Sequence, residues 1–234
     1  TAPEDGYVTN SGARPGDVIV LTKPLGVGIV TFANQVGRAP EDAVAEIIAS
    51  MSALNRTGGE LLREHGAHAA TDVTGFSLMG HMSEIVKNSD VEVELDFDAL
   101  PFFPGVADLA RAEVLPGALE RNREAVAAEL LDLETLAPAQ RSMLFCPETS
   151  GGLLVFLPAD KAAEYVEKLR AGGAPAAAII GNASGKREGG FIKVETARAD
   201  EFSPLETPAP AEPRDAASCC ASPPAEESPA PAAN

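Results

Sequence analysis

Asp72 is the carboxylate in this sequence whose position most favours a chemical role, because it lies between a predicted strand and a predicted helix. Residues 69–73 (Ala-Ala-Thr-Asp-Val) predict a short extended segment, and Thr74-Gly75 predict a turn into a helix. A carboxylate at the end of a strand can face a crevice there and reach a hard cation such as Mg²⁺, which prefers oxygen ligands. Asp72 is therefore the candidate metal ligand. The alternative is that Asp72 or Thr74 only caps the following helix.

Three histidines and three cysteines are the other residues capable of metal or nucleophilic chemistry: His65, His68, His81, Cys146, Cys219 and Cys220. His81 lies about two helical turns beyond Asp72, roughly 10 Å along an ideal helix, so we expect it to pack or hydrogen-bond there. His65 and His68 lie in a polar segment and are predicted to be solvated. The odd number of cysteines, without regular spacing, does not indicate a disulfide framework or a zinc motif.

The cysteines fall into two settings. Cys146 closes an apolar run over residues 142–146 that predicts a strand, and we interpret it as a small core residue. Cys219 and Cys220 are adjacent in a Pro/Ala/Glu-rich segment, where an incidental pair is favoured over soft-metal binding or mixed disulfides. The nearest cation, Arg214, is followed by an acidic residue, so nothing there lowers a thiol pKa.

Bulk composition limits the class of protein. Of 234 residues, 45% are hydrophobic but only 5% aromatic, which predicts an aliphatic core. The formal net charge of -17 opposes binding to a nucleic-acid backbone but permits binding of ATP through a divalent metal. No apolar run approaches the roughly 20 residues of a membrane span, and no leader pattern opens the chain. We expect a soluble, cytoplasmic protein without a membrane partner, and the initial Thr1 suggests a fragment.

The elements that must position Asp72 follow from periodicity. Val91, Val93, Leu95 and Phe97 alternate with acidic residues, which predicts a strand with one solvated face. Further strands are predicted at 18–22, 142–146, 153–157, 177–181 and 191–194, and helices at 29–36, from Pro40 to near Gly58-Gly59, at 60–64, 106–113 and 160–171. This mixture predicts an α+β fold, a sheet covered by helices largely on one side.

Several segments resemble selenophosphate synthetases (selenide, water dikinases). Residues 70–81 (Ala-Thr-Asp-Val-Thr-Gly-Phe-Ser-Leu-Met-Gly-His) are similar to that family's Thr-Asp-Val-Thr-Gly-Phe-x-Leu-x-Gly-His motif. Residues 147–154 (Pro-Glu-Thr-Ser-Gly-Gly-Leu-Leu) resemble its Pro-Gln-Thr-Ser-Gly-Gly-Leu-Leu turn. Residues 15–17 (Pro-Gly-Asp), residues 21–26 (Leu-Thr-Lys-Pro-Leu-Gly) and Arg121-Asn122 also look like the family. The resemblance covers about residues 12–195, in the same order. Four motifs in order are more specific than any one alone.

The resemblance implies a fold like the C-terminal domain of aminoimidazole ribonucleotide synthetase. It also implies transfer of phosphate from ATP to selenide, giving selenophosphate, AMP and phosphate, with Mg²⁺ as cofactor and Asp72 as a metal ligand. The family's Cys or selenocysteine nucleophile, its nearby Lys and its dimer interface belong to an N-terminal domain. The resemblance therefore implies no catalytic residue in this chain, inactivity of this chain alone, and a homodimer at full length. The nucleotide-binding residues stay open.

The same resemblance divides the chain. Residues 1–16 are predicted to be a remnant of a preceding N-terminal domain or linker, 17–200 a C-terminal α/β domain of selenophosphate synthetase type, and 201–234 a disordered Pro/Ala/Glu-rich tail. One departure is Cys146, which stands where the family usually has Asp. Two alternatives stay open: another ATP-dependent enzyme of the same superfamily, and a non-catalytic domain that binds nucleotide or docks a partner.

Overall fold

Seven strands form a single mixed sheet in the computed structural model, which describes residues 7–203. The strands are β1 (Asp17–Leu21), β2 (Ala69–Asp72), β3 (Val91–Asp96), β4 (Leu131–Asp132), β5 (Leu153–Pro158), β6 (Ala178–Lys186) and β7 (Phe191–Glu195). Their order is β2-β5-β1-β6-β3-β7-β4. The pairs β2–β5, β1–β5, β1–β6 and β3–β6 are antiparallel, whereas β7 is parallel to β3 and β4. Asp72 therefore ends an edge strand.

The helices cover this sheet unequally. They are α1 (Val27–Gln35), α2 (Glu41–Ser52), α3 (Arg56–Glu64), α4 (Ser77–Ser89), α5 (Val106–Arg111), α6 (Ala118–Ala125), α7 (Pro138–Leu144) and α8 (Ala159–Ala171), with short 3-10 turns at Phe97–Ala99, Ala128–Leu130 and Ala199–Phe202. The larger core includes residues of α1, α2, α4, α5 and α7, and a smaller core on the opposite face is covered by α3 and α8. No helix among the described residues is long and apolar enough to cross a membrane.

The strand pattern explains the two cores, because successive side chains point to opposite faces of a sheet. In β1, Ile19 and Leu21 enter the larger core, whereas Val20 enters the smaller one. In β3, Val91, Val93 and Leu95 are buried, and the acidic residues between them are half-buried or exposed. The predicted α+β sheet, with helices mainly on one side, is confirmed.

The strand predicted at residues 142–146 is wrong, because this segment belongs to α7 and the residues just after it. Pro138 occupies the first turn of α7, where its missing N–H costs nothing, and the Gln140 side chain accepts a hydrogen bond of 2.9 Å from Ala137 N. The apolar run Met143–Cys146 is buried, and burial alone does not distinguish a short helix from a strand.

The predicted helix end at Gly58-Gly59 is also wrong. The preceding helix α2 stops at Ser52, and both glycines lie inside α3. An ideal Cβ on Gly58 would lie 3.0 Å from Leu153 Cδ1, so glycine allows α3 to approach the sheet closely. The interpretation of α8 needs a smaller correction, because Ala162 is buried and the expected inward residue Ala163 is exposed.

The segment before β1 lies along the edge strand β2. Ala70 N donates a hydrogen bond of 2.8 Å to Thr9 O, and Ser89 Oγ accepts from Gly12 N and Ala13 N. The chain thus enters the fold two residues away from Asp72 along the edge of β2. The division at residues 16 and 200 stays a prediction.

Candidate functional site

Asp72 is exposed at the open end of β2, where its backbone pairs with Leu153 of β5. Within residues 7–203, no hydrogen bond to its carboxylate is found. In that same part of the chain, the one cluster of three or more side chains positioned to share a metal ion lies elsewhere and does not include Asp72. Mg²⁺ is commonly held by one or two carboxylates together with phosphate oxygens and waters. A single exposed carboxylate could supply one of the ligands in such a complex.

The backbone immediately after Asp72 is held on three sides. Val73 N donates to Gly152 O at 2.8 Å, and Thr74 N donates to His81 Nε2 at 3.0 Å. Thr74 O accepts from Glu148 N at 3.1 Å. The direction in which β2 presents Asp72 is therefore set by α4 and by the turn at 147–152 together.

His81 has the hydrogen-bonding role that its sequence position predicts. A backbone N–H only donates, so Nε2 of His81 carries a lone pair toward Thr74, and the ring is the neutral tautomer with its proton on Nδ1. Burial lowers the pKa of His81, with Asp72 and Glu84 opposing that shift. The capping alternative for Thr74 is wrong, since its Oγ1 lies 3.0 Å from His81 Nε2 and α4 has no side-chain cap.

The backbone from Asp72 to the first residue of α4 is constrained. Ser77 is buried with φ of 68°, a left-handed conformation that a non-glycine residue adopts at a cost and that is often found at functional sites. Asn122 on α6 donates from Nδ2 to Gly75 O at 2.9 Å and to Phe145 O at 3.1 Å. The motif Arg121-Asn122 is the sequence signal for this residue, but it does not indicate the role that Asn122 has here. Phe76, which precedes the buried Ser77, is 68% exposed.

The turn at 147–152 contributes a second carboxyl group, Glu148, which sequence analysis did not single out. Its two side-chain oxygens accept from Gly26 N at 2.8 Å and Val27 N at 3.0 Å, at the start of α1. Burial raises the pKa of Glu148 to about 8, despite the two N–H donors. The available signal was that α1 begins at Gly26-Val27 without a Ser, Thr, Asp or Asn cap of its own.

The two glycines of this turn are required by close approach to neighbouring backbone. An ideal Cβ on Gly151 would lie 2.2 Å from Val73 O, and one on Gly152 would lie 2.5 Å from Lys23 N. Atoms do not approach that closely, so any other residue would push the turn away from the segment that follows Asp72. The Gly-Gly pair therefore belongs to the support of this site.

Lys23 ties the same turn to α2. Its buried ammonium donates to Ser50 O at 3.0 Å, Ala53 O at 2.7 Å and Ser150 O at 2.9 Å. Burial lowers the pKa of Lys23, and the three carbonyls satisfy its three donors.

The remaining candidate residues divide as follows. Cys146 is buried, as expected of a core residue, and its burial raises the pKa of the thiol. Cys219 and Cys220 lie outside the described residues. The prediction that His65 and His68 are solvated is wrong, because His65 is 3% exposed and His68 Nδ1 lies 2.8 Å from the buried Asp17 carboxylate.

Comparison with known sequences gives one family model and several relatives that share one name. The family described as AIR synthase related protein, C-terminal domain, matches residues 14–194. The "Selenide, water dikinase" of Agathobacter rectalis is 40% identical over 177 residues, which are 76% of this chain and 51% of that protein. The "Selenide, water dikinase" of Porphyromonas gingivalis is 41% identical over 179 residues, again 76% and 51%. The chain spans about half the length of the curated relatives it matches.

Solved structures support the fold. Thiamine-monophosphate kinase from Stenotrophomonas maltophilia superposes with a TM-score of 0.55 at 20% identity, covering 87% of this chain and 56% of that one. Hydrogenase maturation protein HypE gives a TM-score of 0.54 at 21% identity, covering 91% and 59%. At these identities the likeness concerns the fold alone.

Proposed function

Since this chain belongs to the family of AIR synthase related proteins through their C-terminal domain, we propose that it is the C-terminal part of a selenide, water dikinase. The observation that carries the proposal is the identity of 40% over 177 residues to a protein of that name. The site geometry supports it independently, because the motif around Asp72 and the turn at 147–152 are joined by hydrogen bonds rather than merely adjacent in sequence.

The proposed reaction converts ATP, selenide and water into selenophosphate, AMP and phosphate. Mg²⁺ bound with ATP would neutralise charge on the phosphates, which is the main requirement of phosphoryl transfer. Asp72 is the residue of this chain that would hold the metal. Its exposed carboxylate at the open end of β2 can reach a metal–phosphate complex without leaving a buried partner unpaired.

Two positioning residues support Asp72 in this proposal. His81 accepts the Thr74 N–H, and Glu148 donates its backbone N–H to Thr74 O, so the peptide groups before and after Thr74 are both fixed. Holding a charged ligand in one place reduces the reorganisation required when substrate binds.

The rest of the active site is proposed to lie in the half of the full-length protein that precedes this chain. That half would supply the nucleophile, further metal ligands and the homodimer interface. One carboxylate from Asp72 is too few for several metal ions, so we expect this chain alone to fold but to make no selenophosphate. A cytoplasmic location belongs to the same proposal.

The experiment uses the full-length protein and the variant Asp72→Asn. Phosphorus NMR follows AMP and selenophosphate formed from ATP, Mg²⁺ and selenide. We expect turnover to fall about 100-fold or more, since removing one preorganised electrostatic group at a phosphoryl-transfer site has effects of this order. The matched control is Asp108→Asn, an exposed carboxylate on α5 that pairs only weakly with Arg111.

Two results would contradict the proposal at different points. Turnover of Asp72→Asn at the wild-type rate would remove Asp72 from the metal site. ATP consumption by the full-length protein that does not depend on selenide would assign this chain to another enzyme of the superfamily.

A further inference from the structure

A second group of potential metal ligands lies on the face of the sheet covered by α3 and α8. Glu64 is the last residue of α3, His65 follows it, and Glu164 is on α8. Their nearest ligand atoms all lie within 4.8 Å of one another. Both carboxylates are exposed, with side-chain exposures of 56% for Glu64 and 54% for Glu164, so they are free to change rotamer.

The orientation of His65 distinguishes this group from an ordinary acidic surface. His65 Nδ1 lies 3.0 Å from Leu61 O, and a carbonyl only accepts, so Nδ1 carries the proton in the neutral ring. Nε2 then presents a lone pair. The side chain is only 2% exposed, and Nε2 has no hydrogen-bond partner among the residues that the structure describes. A buried polar atom without a partner is costly.

Another acceptor lies close to that nitrogen. Glu164 Oε1 is 3.9 Å from His65 Nε2, so two electron-rich atoms are neighbours at a distance too long for a direct hydrogen bond. The edge contact between the His65 and Tyr165 rings, with centroids 5.3 Å apart, restricts rotation of the imidazole. A positive ion placed between Nε2 and the carboxylates would satisfy all three groups.

Lys168 supplies positive charge to only part of this group. Its ammonium bonds to Glu64 and lies 3.0 Å from Glu164 Oε1, and these hydrogen bonds lower the pKa of both carboxyl groups. An ammonium group donates hydrogen bonds, but it cannot accept lone pairs from several ligand atoms as a metal ion does. Lys168 is 38% exposed at its side chain and can swing into solvent. It therefore acts as an internal cation that an incoming metal can replace.

We propose that Glu64, His65 and Glu164 form a binding site for a divalent transition-metal ion, Zn²⁺ in particular, with Lys168 as its competitor. A backbone carbonyl that fixes the Nδ1 proton and leaves Nε2 free is the usual outer support of a metal-bound histidine. Imidazole nitrogen with two carboxylates suits Zn²⁺, whereas Mg²⁺ and Ca²⁺ prefer oxygen ligands. Zinc would join the end of α3 to α8 and would not involve Asp72.

Titration calorimetry with ZnCl₂ in a non-chelating buffer tests this site. The protein is the full chain carrying Cys219→Ser and Cys220→Ser, because thiols bind zinc and would obscure the signal. We expect one equivalent to bind, and Glu164→Gln to weaken binding about tenfold or more, since ligand-shell changes have effects of this size. Lys168→Met should tighten binding several-fold, because the competing ammonium is gone. Asp72→Asn should leave zinc affinity unchanged, which separates this proposal from the preceding one.

Nitrogen NMR of the histidine side chains identifies the coordinated atom. Addition of one equivalent of zinc should shift the Nε2 resonance of His65 and leave Nδ1 protonated. The proposal is wrong if zinc does not bind, if Glu164→Gln binds as tightly as its parent, or if Lys168→Met fails to tighten binding. It is also wrong if the His65 resonances do not move while zinc binds.

Discussion

Asp72 and Glu148 are acidic residues on segments joined by hydrogen bonds from Glu148 N to Thr74 O and from Val73 N to Gly152 O, yet their surroundings are opposite. The Asp72 carboxylate is exposed at a strand end, and none of the described residues donates a hydrogen bond to it. The Glu148 side chain is 3% exposed and accepts two backbone hydrogen bonds at the start of α1. Residue type alone therefore does not separate a structural acid from a candidate metal ligand; solvent access and bound donors distinguish the two settings.

Because of this difference, substitutions at Asp72 and Glu148 should affect different properties of the protein. Replacement of Asp72 should change turnover in the full-length protein and leave folding intact, because its side chain is surrounded by solvent. Replacement of Glu148 should change the free energy of unfolding, because its side-chain oxygens complete two buried backbone donors.

The largest expected change in stability comes from Glu148→Ala. Both Gly26 N and Val27 N lose their acceptor, and unpaired buried donors cost about 1–3 kcal/mol each, so we expect a loss of about 3 kcal/mol. Urea unfolding of the chain at about pH 5, where most of the Glu148 contribution is still present, measures the loss by circular dichroism. Asp72→Ala and Glu124→Ala, both at exposed carboxylates, should change the free energy by less than about 0.5 kcal/mol. Equal losses in the free energy of unfolding for Glu148→Ala and Asp72→Ala would contradict the proposed difference between the two residues.

The next effect is a pH dependence that belongs to Glu148. Its pKa is raised from 4.5 to about 8 in the folded protein, so between these values the folded state holds a proton that the unfolded state has released. This contribution to stability is fully present below pH 4.5 and is lost as pH rises through about 8. Its slope approaches about 1.4 kcal/mol per pH unit within the window.

The variant Glu148→Gln isolates this slope, since glutamine does not titrate and is the residue found at this point of the related turn. The free energy of unfolding is measured for both proteins from about pH 5 to about pH 8. We expect the advantage of the wild type to shrink steadily as pH rises. Parallel curves would show that Glu148 keeps its ordinary pKa and that its two N–H donors outweigh burial.

The smallest effect concerns His81, which holds the Asp72 segment from the other side. In His81→Ala the half-buried Thr74 N–H loses its acceptor, so we expect a loss of about 1 kcal/mol, typical of one hydrogen bond. Hydrogen exchange of the Thr74 amide should become faster, whereas the amides of β6 should not change. Unchanged exchange at Thr74 would mean that Glu148 alone orders this segment.

The sequence predicted most of the sheet, because strong alternation and continuous apolar runs have one simple explanation. The alternation at Val91, Val93 and Leu95 gave β3 nearly to the residue. The strand predicted at residues 142–146 is wrong because the buried apolar run Met143–Cys146 is compatible with either a helix or a strand. Gly58 was read as a helix end, although a glycine also permits close packing inside a helix, and only the neighbouring Leu153 shows which applies.

At the site, the motif around Asp72 indicated the wider family, and the match of residues 14–194 to AIR synthase related proteins, C-terminal domain, confirms that family. The metal-binding role of Asp72 stays a prediction. The roles of Glu148, Asn122 and Lys23 could not be read from the sequence. Each acts on backbone atoms far away in the chain: Glu148 on Gly26, and Asn122 on Gly75. Such contacts leave no periodic pattern in the sequence. Nearly every residue type carries the same backbone donor and acceptor, so the partner of such a contact cannot be recognised from its residue type. His65 was missed for the same reason, since its burial depends on α8.

The hydrogen bond from Ala70 N to Thr9 O has a consequence for assembly with the preceding half proposed for the full-length protein. It anchors the polypeptide beside β2, two residues from Asp72, so a domain attached before Thr9 is tethered close to that carboxylate. Tethering over a short linker gives an effective local concentration in the millimolar range, compared with free association at cellular dilution. Asp72 and the groups proposed for the other half would then meet within one molecule, even when their contact surface is too small to hold separate chains together.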